Sequence, residues 1–207
     1  MLILRLLRLE FVEAEQLAER QFELCSQYGL ADFLATAIGS RGTALALQGN
    51  KQGIYMIEQW IASGRRTGLK MVRPFELCCL AEACIAHNQF ERASQALDEA
   101  LTIAEQDGVR YCEPATHHLR GILLLTKEGS NRSGALDCFE RAIEIAREQS
   151  ARSWELRATV SLARLLAKLG QADQARAVLA EIYNWFTEGF DTADLKDAKA
   201  LLDELSM

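Results

Sequence analysis

Apolar residues recur along this chain three and four positions apart, the spacing of one face of an α-helix. In HNQFERASQALDEA, Ala93, Leu97 and Ala100 share such a face. LGQADQARAVLAEI repeats the arrangement with Ala175, Leu179 and Ile182, and SGALDCFERAIEIA with Ala135, Phe139 and Ala142. GNKQGIYMIEQWIA places Ile54 and Ile61 in the matching slots, and the degenerate LEFVEAEQLAER places Ala14 there. The anchors Ala14, Ile54, Ala93, Ala135 and Ala175 thus recur with a near-constant period of roughly 40 residues, the signature of a repeat architecture. The longest step, from Ala93 to Ala135, contains KEGSNRSG, a polar turn longer than its counterparts.

Each unit has a preceding helix, whose packing face reads Leu77, Ala81 and Cys84, then His117, Gly121 and Leu124, then Thr159, Ala163 and Leu166. The small middle residue lets the paired helix approach closely, and Gly42 fills that slot in the earliest complete unit. Pro74 and Pro114 lie one such period apart, each where a first helix should begin. Proline is favoured there because its missing N–H is not needed. One hairpin cannot bury its apolar stripe alone, so hairpins stack into a superhelix whose first helices line a concave face. Thr192 to Leu205 follows Gly189 as an amphipathic helix, with Leu195, Ala198, Leu202 and Leu205 as its stripe. The predicted architecture is all-α: one domain over residues 1–207, a right-handed α-solenoid of about five hairpins, capped by a helix over 192–206. At the N-terminus Leu2, Ile3, Leu6 and Leu7 are expected to be exposed and covered by a preceding domain, another repeat or a partner.

Composition narrows the function. Two prolines in 207 residues argue against an all-β fold, and 49% hydrophobic residues supply a sizeable core. A net charge of −6 makes nucleic acid a poor partner. No apolar run is long enough to span a membrane, and no export signal is visible. Six cysteines without a C-x-x-C pair read as small apolar residues in a reducing cytoplasm. No phosphate-binding glycine loop of the form G-x-x-x-x-G-K-S/T and no G-x-S-x-G nucleophile elbow occurs. Cys78, Cys79, Cys84 and His87, with Cys112, His117 and His118, are candidates for a zinc or Cys–His site, but they lack tightly paired ligands. Glu140 with Glu144, and Asp98 with Glu99, read as solvated helix faces rather than paired catalytic acids.

The turn pattern, a small polar residue or glycine followed by an aromatic or alanine and then alanine, resembles the tetratricopeptide repeat. The longer period is similar to the variant in the C-terminal region of the maltose-regulon transcription activator family. The last third, above all YNWFTEGFDTADLKDAKALL, Tyr183 to Leu202, resembles the C-terminal end of bacterial multidomain proteins. Those join a cyclase or DNA-binding domain to an ATPase and then to tetratricopeptide repeats. The resemblance implies a bacterial signalling or regulatory role for the repeat region alone, with no catalytic residue and no cofactor.

The helix register places Phe75, Glu82, His118, Ile122, Arg157, Arg164 and Lys168 on the concave face. Its basic end suits an acidic peptide or a carboxylate terminus. Trp185, Phe186 and Phe190 are expected to seal the cap, with a binding hot spot as the alternative. The expected function is a non-catalytic scaffold or regulatory module binding a protein or peptide, such as an attached or separate ATPase, cyclase or regulator domain. Competing readings are ligand sensing, self-association into a homodimer through the N-terminal helix, and RNA recognition by a helical repeat.

Overall fold

Small residues and turn chemistry set the crossings and ends of the helices in the computed structural model, which describes residues 2–68, 70–126 and 131–206. Among these residues there are eleven α-helices and no strand. They fall into two compact units, Met1–Cys112 and Glu113–Met207.

The first unit holds α1 (Leu2–Leu7), α2 (Phe11–Tyr28), α3 (Ala31–Leu47), α4 (Gln52–Thr67), α5 (Arg73–Ala86) and α6 (Phe90–Asp107). Consecutive helices pack as α2 on α3, α3 on α4 and α5 on α6, while α3 also meets α5. The α3–α4 crossing is made by glycines on both sides. A Cβ on Gly53 would stand 2.1 Å from the Gly42 carbonyl oxygen, and one on Gly39 would stand 2.1 Å from the Trp60 ring. Leu2 and Leu6 of α1 are buried with Ala14, Ala18 and Ala44. The expected exposure of the N-terminal leucines is therefore corrected: Ile3 is exposed and Leu7 half-buried, because α1 folds onto α2 and α3.

The second unit holds α7 (Glu113–Thr126), α8 (Arg132–Glu148), α9 (Arg152–Lys168), α10 (Ala172–Tyr183) and α11 (Ala193–Glu204). Here α7 pairs with α8 and α9 with α10, and α11 packs on α9 and α10. Phe139 is fully buried and fills the notch at Gly121, where a Cβ would lie 2.4 Å from its ring. Burial of a side chain this large stabilises by about 1.5–3 kcal/mol. Asn131 caps α8, its side chain accepting from the Gly134 N–H at 2.9 Å. Lys127 to Ser130 of the long polar turn lie outside the described residues.

The second helix of each hairpin carries one anchor: Ala14, Ile54, Ala93, Ala135 and Ala175 are 0%, 3%, 0%, 0% and 0% exposed. Pro74 and Pro114 each occupy the first turn of their helix, in α5 and α7. Between hairpins the chain turns through a left-handed residue at Gly29, Gly68, Gly108 and Ser150, with φ of 67°, 72°, 72° and 56°. Serine there carries the Cβ penalty that glycine avoids.

Candidate partner-binding cleft and two buried acids

In the second unit, α7, α8 and α9 enclose a cleft of about 260 Å³. Its floor is apolar, formed by Ile122, Leu125, Phe139 and Leu165, and Arg132, Arg164 and Lys168 line it as well. All three cations are exposed. Of the residues assigned to the concave face, this cleft gathers Ile122, Arg164 and Lys168. His118 joins them through Ser161, which also lines the cleft: its ring nitrogen is 2.9 Å from the Ser161 hydroxyl. The His118 ring also packs on Phe139, with centroids 5.9 Å apart. Burial, and then the nearby Arg157 charge, lower the His118 pKa to about 4, so the ring is neutral at physiological pH.

Arg157 is turned elsewhere. Its guanidinium donates to both carboxylate oxygens of Asp194 on α11, at 2.8–3.0 Å, and lies over the Trp154 ring at 5.0 Å. Arg164 pairs with Asp197, also on α11. The basic row of α9 is thus partly neutralised by the helix that follows it. Lys168 is in no ion pair among the described residues, so it is the most available of the four cations on α9.

Phe75 and Glu82 belong to α5 in the first unit. Phe75 is half-buried edge-on against Trp60, with centroids 6.0 Å apart. Glu82 is half-buried near Cys79. Around the α10–α11 connection, Phe186 packs onto the second unit's core, while Trp185 and Phe190 remain exposed. Arg152 lies over the Trp185 ring at 5.2 Å.

The cysteine and histidine candidates are taken up by packing. His87 contacts the Ala46 carbonyl at 3.0 Å, and Cys78, Cys79, Cys84 and Cys112 are buried. Cys78 and Cys112 are hydrogen-bonded to each other, and burial raises the Cys79 and Cys84 thiols above their ordinary range. Among the described residues no group of three His, Cys, Asp or Glu side chains is placed to hold a metal ion. Glu144 pairs with Arg141 and Glu99 with Arg65, on exposed faces.

Two acids were missed by the hydropathy pattern. Glu76 and Glu155 are 0% and 2% exposed, in the first turns of α5 and α9. Each lies three positions after an arginine, in RPFE and RSWE. The two motifs are two repeat periods apart. Ala37 and Thr116, both 1% exposed, hold the same slot one period before and one period after Glu76. An R-x-x-E recurring at twice the period was the available signal. Glu155 is doubly held: Arg147 donates to one oxygen and Arg152 to the other, both at 2.6 Å. Glu76 receives Arg73 at 2.9 Å on Oε2, and its Oε1 is buried with no hydrogen-bond partner. Burial raises the Glu76 pKa, and the Arg73 charge only partly offsets this.

No protein-family model matches the chain, and no curated protein matches it in sequence. Solved structures do. The crystal structure of a kinesin-light-chain-type protein of Podosopora anserina with nearly identical TPR-like repeats matches at a TM-score of 0.55 and 18% identity, over 94% of this chain and 88% of that one. A single-substitution variant of it matches at 0.57 and 19%, over 83% and 84%. At such identity the likeness carries the fold alone. The chain is an all-helical repeat protein of tetratricopeptide-like fold.

Proposed function

We propose that this protein is a non-catalytic interaction module that binds an acidic, partly apolar peptide segment of a protein partner in the α7–α9 cleft. The carrying observation is the cleft itself: an apolar floor of Ile122, Leu125, Phe139 and Leu165 beside Arg132, Arg164 and Lys168. Apolar side chains supply the affinity in such a groove, and fixed cations select a carboxylate-bearing ligand. Tetratricopeptide-like repeats generally act as protein-interaction scaffolds, which supports the reading. A regulatory place beside a signalling ATPase, a cyclase or a transcriptional regulator is the finer form of the proposal, supported by the resemblance of Tyr183 to Leu202 to the end of such proteins. An intracellular setting belongs to it, and six thiols, five of them buried, are in keeping with that.

The test is an NMR titration with a short peptide of alternating leucine and glutamate. Amide shift changes are expected on α7 and α9, with binding at least tenfold weaker in Lys168→Glu, a loss of about 1.4 kcal/mol. Lys168 is preferable to Arg164 as the probe, because Arg164→Glu would also set like charges together at Asp197. Unchanged affinity in Lys168→Glu, or shifts confined to other helices, rejects the reading.

A further inference from the structure

The cleft of the second unit carries more positive charge than one carboxylate can answer. Arg132, Arg164 and Lys168 line it, and no acid is among its described lining residues. Arg164 has Asp197 as its partner. Arg132 and Lys168 are in no ion pair among the described residues, so two cations stand unmatched in a chain whose net charge is −6. Arg164 and Lys168 are one turn apart on α9, where like charges repel and where both head groups come within reach of a single anion. Pairing with Asp197 engages one nitrogen of Arg164, and a guanidinium keeps further N–H donors beyond it.

A carboxylate brings one negative charge and two oxygens. A phosphate monoester brings about −1.5 to −2 and three acceptor oxygens at neutral pH. It therefore answers Arg132 and Lys168 together, with charge-assisted hydrogen bonds to both. The cleft holds only about 260 Å³, so one compact dianion leaves more of the apolar floor to a neighbouring side chain than two separate acidic side chains do. That floor of Ile122, Leu125, Phe139 and Leu165 calls for hydrocarbon beside the anion, which a peptide supplies and inorganic phosphate does not. Resting on the peptide-binding reading, we infer that the preferred occupant of this cleft is a phosphoserine or phosphothreonine segment with apolar neighbours, its phosphate between Arg132 and Lys168. Phosphorylation of the partner then switches binding on.

The probe is a short peptide of alternating leucine and asparagine whose central asparagine is replaced in turn by phosphoserine, serine, glutamate or a pair of glutamates, followed by amide shifts and calorimetry on the full chain. All acidic forms are expected to shift amides of α7 and α9, and the phosphoserine form to bind tighter than the single-glutamate form by about tenfold or more. Its affinity should also rise from pH 5.5 to 7.5, because the second phosphate pKa is about 6. The glutamate form, whose charge is constant over that range, controls for titration of the protein itself. An Arg132→Gln, Lys168→Gln double variant, altered only at exposed positions, should lose the preference for phosphate with helix content unchanged. Equal binding of the phosphoserine and single-glutamate forms overturns the inference and leaves the acidic-peptide reading standing. A glutamate pair as tight as phosphoserine, a preference undiminished in the double variant, or inorganic phosphate or phosphatidic acid vesicles bound as tightly as the phosphopeptide also overturns it. Absence of shifts on α7 and α9 with every peptide removes both the inference and the reading beneath it.

Discussion

Glu76 and Glu155 occupy the same slot of the repeat, yet one is half-satisfied and the other fully so. Around Glu155 two arginines converge, both partly exposed, so their charge is cheap to keep and the carboxylate is clamped from both sides. Around Glu76 the single close arginine is itself buried, and the adjoining helix offers a glycine, Gly64, instead of a donor. The first environment is a structural clamp. The second leaves one buried carboxylate oxygen without a hydrogen-bond partner. The lesson is that a repeat fixes where an acid is buried, while residues outside the repeat pattern decide how fully its oxygens are satisfied.

The helix crossings differ in a parallel way, and breaking them gives the largest expected effect. At Gly53 the obstacle is the backbone of Gly42, which cannot move aside, whereas at Gly121 it is the ring of Phe139. Gly53→Ala is expected to destabilise by about 3 kcal/mol or more, measured by urea unfolding. Gly121→Ala should cost about 1–3 kcal/mol and be partly rescued by Phe139→Leu, which makes room for the new methyl group. Failure of that rescue would mean that the notch is not what accommodates Phe139.

The acids themselves come next. Glu155→Gln removes one of two charge-assisted bonds to a buried carboxylate, at an expected cost of about 2 kcal/mol. Glu76→Gln should cost about 1 kcal/mol or less, since its amide oxygen still accepts from Arg73 and a desolvated charge is removed. Equal losses in the two variants would erase the distinction.

The pH dependence should have opposite signs in the two units. His118 is neutral in the fold to about pH 4, whereas an unfolded histidine takes up its proton near 6.5. The unfolded state therefore binds more protons in that interval, and stability is lost as pH falls from 6.5 to 4, by on the order of 2 kcal/mol. Glu76 runs the other way: its pKa is raised in the fold above the ordinary 4.5, so its contribution is lost as pH rises through that elevated value. Hydrogen exchange of α7 and α9 against α4 and α5, across this range, reads both. His118→Phe should flatten the first dependence and Glu76→Gln the second. The smallest effect concerns the turns: Ser150→Gly is expected to stabilise by about 0.5–1 kcal/mol, because its left-handed backbone is matched by glycine at three equivalent turns.

The five anchors were legible from sequence because small and apolar residues at a helix crossing leave a periodic mark that nothing else imitates. Pro74 and Pro114 were legible for a similar local reason, since proline restricts its own φ wherever it stands. The buried acids were not, because a glutamate on a helix reads as surface unless its partner is known. Arg157 and Arg164 read as a free basic row, yet Asp194 and Asp197 come much later in the chain and meet them only once α11 has docked on α9. Leu2 and Leu6 were expected at the surface for want of a visible covering element, and α2 with α3 proved to be that cover. Of the proposed face residues, Ile122, Arg164 and Lys168 share a cleft because helical spacing on α9 carries Arg164 and Lys168 to one edge.

The most direct test of the partner-binding account is an unbiased selection from a random-peptide display library, run in parallel on the native chain and on an Arg132→Glu, Lys168→Glu double variant. The account predicts that the native chain enriches peptides combining apolar residues with aspartate or glutamate, and that the double variant loses those sequences. Enrichment of the same peptides on both proteins, or of basic peptides on the native chain, would contradict it.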